Sequence, residues 1–303
     1  MVIHQALRWS VSLAVVAAAA LVGSACEITV DAGPYSAHED KRFQVTGTPD
    51  LSLTTFDGSV VVRSWDRPEV LVEIEKRSSD KTQAEAIRVT AEQSGNTITI
   101  EVRKPDGPQA SLGFRVSPSA RIVATVPAHC NLIVRSEDGS IRIERVDGKI
   151  DLRSGDGSLT GIDLAGAVRA HTGDGSMRFD NMSGALDLDS GDGGARVSGR
   201  LQAVKVRTGD GSVEVRAADG SAMTDDWEVR TGDGGVRLEL PASFGAVLDA
   251  ETGDGTVRVR GFGEPTGSGK QGASRGEMKR QLGSGGKLLR LRSNGGSIVI
   301  RTL

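Results

Sequence analysis

The sequence predicts an all-β protein, a β-solenoid (right-handed β-helix-like) of 18-residue coils with a β-rich N-terminal part. Three observations predict it. Asp-Gly pairs recur at one constant interval, at Asp138-Gly139, Asp156-Gly157, Asp174-Gly175, Asp192-Gly193 and Asp210-Gly211. Between them apolar and charged residues alternate, as in Val168-Arg169-Ala170-His171-Thr172, which is the period of a strand with one face buried. Glycine contributes 40 of the 303 residues against 9 prolines and 3% aromatics. That balance calls for many tight turns rather than collagen or a disordered tail.

Residues 1–25 read as a targeting segment. Arg8 is followed by a charge-free run from Ser10 to Val22, too short to span a bilayer, which needs about 20 apolar residues. Gly23-Ser24-Ala25-Cys26 resembles the lipobox of bacterial lipoproteins, with Gly23 where leucine is usual. The resemblance implies a lipid on Cys26 and a chain exported and membrane-anchored in the bacterial cell envelope. The alternative is plain secretion. Residues 26–44 carry few apolar side chains and read as a tether. With Cys26 consumed, Cys130 has no disulfide partner and reads as a small buried residue.

An N-terminal β region is expected over 45–135. Its strands are signalled by Val60-Val61-Val62, Val70-Leu71-Val72, Ile98-Thr99-Ile100 and Ile122-Val123-Ala124, with Phe56-Asp57-Gly58-Ser59 as an early copy of the turn. Asp80 with Gln83 three residues later reads as a capping box opening a short helix through Ile87. The repeats occupy 136–303. Further turns stand at Asp233-Gly234 and Asp254-Gly255, and Asn294-Gly295 reads as the last. Residues 261–287, rich in Gly, Ser and Lys, read as a loop or insertion before a final coil from Leu289 to Leu303.

Asp-Gly between alternating segments also signals an antiparallel hairpin. The residue columns favour stacking instead. Ser154, Thr172, Ser190, Thr208, Thr231 and Thr252 all stand two residues before the Asp, and like-on-like columns are what a solenoid requires. Stacking at ~4.8 Å would place the aspartates in a like-charge row, repelling by ~0.9 kcal/mol per neighbour in water and ~3.5 kcal/mol at an effective dielectric of about 20. Each Asp is expected to accept hydrogen bonds from its own turn, with Gly taking positive φ and nearby arginines adding counter-charge. A calcium row is the lesser alternative, since one carboxylate per coil is thin.

The run Gly58-Ser59-Val60 to Trp65-Asp66, then Glu69-Val70-Leu71-Val72, resembles the DUF4097 family, whose members are labelled adhesins. So do the repeated Ser/Thr-Gly-Asp-Gly turns and Leu291-Arg292-Ser293-Asn294-Gly295-Gly296-Ser297-Ile298. The resemblance covers residues 45–303. It implies a β-solenoid at the surface or envelope and no established activity.

No catalytic constellation is legible. His38, His129 and His171 are scattered, and neither zinc spacing, nucleophile elbow nor phosphate loop appears. Asp187, Asp189 and Arg207 are the nearest thing to an acid–base group across coils, but alternating acid and arginine is also how a soluble sheet surface is built. Trp65 and Trp227 are too few for a sugar platform. A net charge of −3 gives no pull toward nucleic acid. The expectation is a non-catalytic envelope lipoprotein with no cofactor or metal, acting as a surface binding or adhesion module. Its partners would be the membrane, through the anchor, and an envelope polymer or surface protein. A structural envelope scaffold is the alternative, and a solenoid polysaccharide-acting enzyme a more distant one.

Overall fold

The computed structural model describes residues 35–104, 117–262 and 273–303; the targeting segment and Cys26 lie outside them. Among the described residues every regular element is a strand except one helix, Lys81–Ala86. Each repeat supplies one strand before the Asp-Gly corner and one after it, and both stack in parallel on the neighbouring repeats. Ile150 lies between Leu132 and Val168, and Leu159 between Ile141 and Met177, one full repeat away on either side. Two parallel ladders result, one on each side of a thin core.

Period-2 alternation decides what that core contains. Val134, Leu152, Ala170, Leu188 and Val206 form one inward column, each no more than 1% exposed. The bend opposite the Asp-Gly corner is filled by Val146, Leu164 and Met182. Arg145, Asp163 and Asn181, one in each of three successive repeats, hold that bend with positive φ near 55°. The midway glycines follow, Gly166 at φ 101° being one that uses a conformation closed to other side chains.

The pile departs from a uniform run of 18-residue coils in three ways. The spacing lengthens where Val206 meets Val229. The ladders also join: Ala195–Thr208 and Ala246–Arg260 are long enough to run through both, so with Trp227–Thr231, Leu288–Ser293, Ile298–Thr302, Val236–Leu240 and Val213–Ala217 they close a barrel-like ring of seven parallel strands. Finally, spatial order leaves chain order at both ends. Leu288–Ser293 and Ile298–Thr302 are not the outermost repeat; they slot between 227–240 and 246–260. At the other end, Asp50–Thr55 and Val60–Trp65 lie between 97–127 and 131–144.

Antiparallel strands cover both ends. Ala273–Leu282 pairs along Ala246–Arg260, so this part of the expected 261–287 loop is an edge strand. Tyr35–Gln44 pairs with Glu69–Ser78, so these residues are not tether either. The covering strands carry charge along them, as Lys41, Arg42, Arg275 and Lys279 show, which discourages further strand addition. The helix begins as expected at Asp80, whose carboxylate accepts from the Thr82 amide at 2.7 Å. Gln83 does not complete a capping box. Its Oε1 accepts from the Ser78 hydroxyl instead.

Candidate functional site

Three places qualify as candidate sites: the repeated corner, the outer faces between corners, and the concavities. At the corner the Ser/Thr hydroxyl has two tasks. The Ser154 hydroxyl accepts from the Gly157 amide at 3.1 Å in its own turn and donates to the Gly139 carbonyl of the preceding repeat at 2.9 Å. Ser293 repeats both bonds, Ser136 repeats the one in its own turn but donates to the Phe56 carbonyl, and Thr172 and Thr231 repeat the axial one. The glycines beside it link amide to carbonyl up the stack, Gly191 donating to Gly173 at 2.5 Å. The column's residues are at most 8% exposed, so it is a buried polar seam whose hydroxyls bond the backbone of their own and the neighbouring repeat, Thr55 at its N-terminal end being buried without a partner.

The corner glycines do not have the conformation expected of them. None of Gly139, Gly157, Gly175, Gly193, Gly211, Gly234 and Gly255 takes a positive φ. They are glycine because the repeats approach closely. A Cβ at Gly175 would meet the Gly157 carbonyl oxygen and lie 2.8 Å from the Thr172 hydroxyl. The glycine before the Asp, which each of these corners but that of Asp138 has, is crowded in the same way, a Cβ at Gly173 falling 2.7 Å from the Gly155 oxygen and 3.1 Å from Asp156 Oδ1.

The aspartates Asp138, Asp156, Asp174, Asp192, Asp210, Asp233 and Asp254 are all exposed. They form the expected row, with Asp57 at its N-terminal end. The expected counter-charge is engaged elsewhere. Arg153 pairs with Asp151, Arg178 with Asp180 and Arg196 with Glu214, all away from the corner. One member of the row needs correction. Ser293 pairs with Thr231 and Thr252, so the last corner is Gly295-Gly296, and Asn294 takes the place of Gly232. An uncharged residue thus separates Asp233 from Asp254. Where Asp57 faces Asp138 and Glu137, partial burial and then these like charges push its carboxyl above the usual range. Among the described residues no group of three or more His, Cys, Asp or Glu converges as metal ligands would.

On the outer side of the first ladder, residues opposite one another alternate in sign: Asp151, Arg169, Asp187 and Lys205 lie in successive repeats. Glu228, Arg290, Asp249 and Lys279 continue the row. The alternation follows spatial order. In chain order Glu228 and Asp249 would meet, and only the inserted repeat brings Arg290 between them. The acid–base group weighed from the sequence is dispersed in this mosaic. Asp187 pairs with Arg169 at 3.5 Å, Asp189 with His171 at 3.2 Å, and Arg207 reaches Glu228 at 3.0 Å. Ser36, His38 and Glu75 do gather, but the Ser36 hydroxyl itself bonds both His38 and Glu75, leaving no imidazole–carboxylate relay.

The larger concavity, about 780 Å³, is an open groove along this face. Its outward-facing alanines Ala167, Ala185 and Ala203 form a low apolar floor, with Lys149, Asp187 and Lys205 among the polar residues beside it. Asp225 and Asp226 stand at one end, and the Asp226 carboxylate accepts from the Leu288 amide. A second hollow of about 320 Å³ lies among His38, Arg63, Glu73, Glu75 and Arg121. Neither tryptophan offers a platform: Trp227 is fully buried against Phe244, and Arg67 lies over Trp65. The Cys130 thiol is buried and pushed up to about 12 by desolvation and by Asp50, so it stays protonated and unreactive near neutral pH. Sequence reasoning missed the groove and the alternation; the signal for both was the spacing of Ala167, Ala185 and Ala203 and the signs of the residues two places on.

Residues 49–301 match the family model described as Toastrack DUF4097. No curated protein matches the chain. Among solved structures it is similar to a candidate cell adhesion protein from Clostridium sporogenes, at 14% identity and a TM-score of 0.31, covering 89% of this chain and 100% of that one. A candidate adhesin from Bacteroides fragilis gives 11% and 0.36, covering 88% and 97%. A candidate lipid-binding protein from Parabacteroides distasonis gives 12% and 0.43, covering 87% and 96%.

Proposed function

The chain belongs to the DUF4097 Toastrack family, and from that premise we propose that it is a non-catalytic cell-envelope module of stacked, solenoid-like coils that offers its outer faces to a surface partner. The observation that carries this reading is the disposition of charge. Among the described residues, acids and bases on the outer faces pair along and across strands instead of converging on a point, so the faces suit an extended contact better than catalysis at one centre. An adhesin-type role uses such a face. A polymer or surface protein would contact several coils at once, each contributing a small increment.

Attachment to the membrane is the second part of the proposal. The small residues before Cys26 support acylation there, and two or more acyl chains would make anchoring durable at ~0.8 kcal/mol per buried CH₂. Among the described residues no helix is long and apolar enough to cross a membrane. The test is a pull-down from envelope extracts with the wild-type chain and with Cys26→Ser. The proposal expects the wild type to fractionate with membranes, Cys26→Ser to be released, and both to enrich the same polymer or protein. Finding no enriched partner sinks the adhesion reading and leaves a structural scaffold.

A further inference from the structure

We propose that the grooved face is a self-association surface that pairs the chain with a second copy of itself about a two-fold axis. The row on this face runs acid, base, acid, base from Asp151 to Lys279, eight charges of strictly alternating sign. Such a row is complementary to its own reversal. A two-fold axis lying along the strands between Lys205 and Glu228 reverses the stacking direction and keeps each column opposite itself. Asp151 then faces the partner's Lys279, Arg169 the partner's Asp249, Asp187 the partner's Arg290 and Lys205 the partner's Glu228. An axis along the stack would set every charge against its own like, so the row selects one of the two face-to-face arrangements.

The neighbouring columns agree with this choice. Val247 is 45% exposed, and it pairs with Leu288 within the chain. The same axis lays the partner's Val247 on Ala167 and the partner's Leu288 on Ala185, so the protruding apolar end of one face fills the alanine floor of the other. At the axis Ala203 meets the partner's Asp226, whose carboxylate is already bonded to the Leu288 amide of its own chain. On the other flank Asp189 meets the partner's Arg292, His171 the partner's Glu251, and Arg153 the partner's Glu277. Arg207 meets the partner's Arg230, a like pair that Glu228 offsets because both arginines bind it within their own chain. Eight repeats at ~4.8 Å by three outward columns give a footprint of roughly 750 Å², close to the ~800 Å² per partner of a standard interface.

Sedimentation velocity of the full chain tests this. The wild type is expected to sediment as a dimer at about 50 μM in low salt and to dissociate toward monomer near 1 M salt. Ala185→Arg, at an outward-facing, half-buried position of the groove floor, is expected to keep its melting temperature and weaken dimerisation at least about tenfold. Asp187→Lys and Arg290→Asp are each expected to be monomeric, while their equimolar mixture dimerises, because each altered charge then meets its opposite. A wild type monomeric at low salt overturns the proposal. So does an Ala185→Arg chain that dimerises as tightly as the wild type, or a mixture that remains monomeric; a partner other than a second copy would then have to account for the groove.

Discussion

At the scale of single residues, most positions in this chain are set by the neighbour one repeat away. Arg145 shows the cost of an exception. It holds the left-handed bend that Asp163 and Asn181 hold in the next two repeats, a conformation that short polar residues tolerate better than arginine does. Arg145→Asn is therefore expected to stabilise by up to about 1 kcal/mol, even with loss of the exposed pair to Glu144, and thermal melting checks it. Asp57 makes a second case. Its folded carboxyl holds a proton more tightly than the unfolded one does, so stability falls as pH rises through the window between the ordinary aspartate value of about 3.9 and its raised folded value. Asp57→Asn should raise the melting temperature at pH 7, with the gain vanishing as pH approaches that ordinary value. A gain independent of pH would mean that the charge of Asp57, disfavoured by burial and then by Asp138 and Glu137, is not the cause. The glycine–aspartate corner itself was plain in the sequence, but its glycines were assigned the wrong reason. Turn chemistry is local and visible, whereas contact with a carbonyl in the neighbouring repeat needs the stack.

At the scale of elements, the informative piece is the repeat at 288–302. It buries Leu289, Leu291, Ile298 and Ile300 completely and is paired in parallel on both sides. Three arginines fit it to its slot. Arg290 lies between Glu228 and Asp249, Arg292 bonds Asp249 and Glu251, and Arg301 bonds Glu239. Hydrogen bonding from Arg292 holds the Asp249 carboxyl below its usual range, and its Oδ1 is buried without a partner. That contribution is present above the ordinary aspartate value and is lost as pH falls through the depressed folded one. Arg292→Gln should cost about 1–3 kcal/mol at pH 7, with the loss shrinking in acid, read from denaturant midpoints at both pH values. Equal losses at both would show packing rather than charge. The sequence made each strand of this repeat legible through alternation and its Ser-Asn-Gly-Gly corner. Its place in the stack was not legible, because any repeat can pair with any other when all carry the same columns. The alternation of Glu228, Arg290 and Asp249 was the clue, and it can be read only once the partners are known. The corner was misread by one residue for the same reason, since Asn294-Gly295 looks like Asp-Gly until Ser293 is set beside Thr231.

At the scale of the whole molecule, the buried seam of Ser/Thr and Gly runs the length of the parallel stack, and both ends are closed by repeats out of chain order under antiparallel strands. Fraying an end would require breaking into the stack as well as peeling from it, which should keep unfolding cooperative. The outer faces carry what varies, and there any partner, including a second copy, must be met. The motif repeated most often is thus the part least concerned with recognition. Differential scanning calorimetry of the wild type, Gly175→Ala and Asp174→Asn, each with calcium and with chelator, tests that claim most directly. Gly175→Ala should lower the melting temperature by at least about 2 °C, because its Cβ strikes the preceding repeat's carbonyl. Asp174→Asn should leave it unchanged or raise it, and calcium should shift none of the curves. A calcium-dependent rise in the wild type that Asp174→Asn abolishes would contradict the account and make the corner a binding site after all.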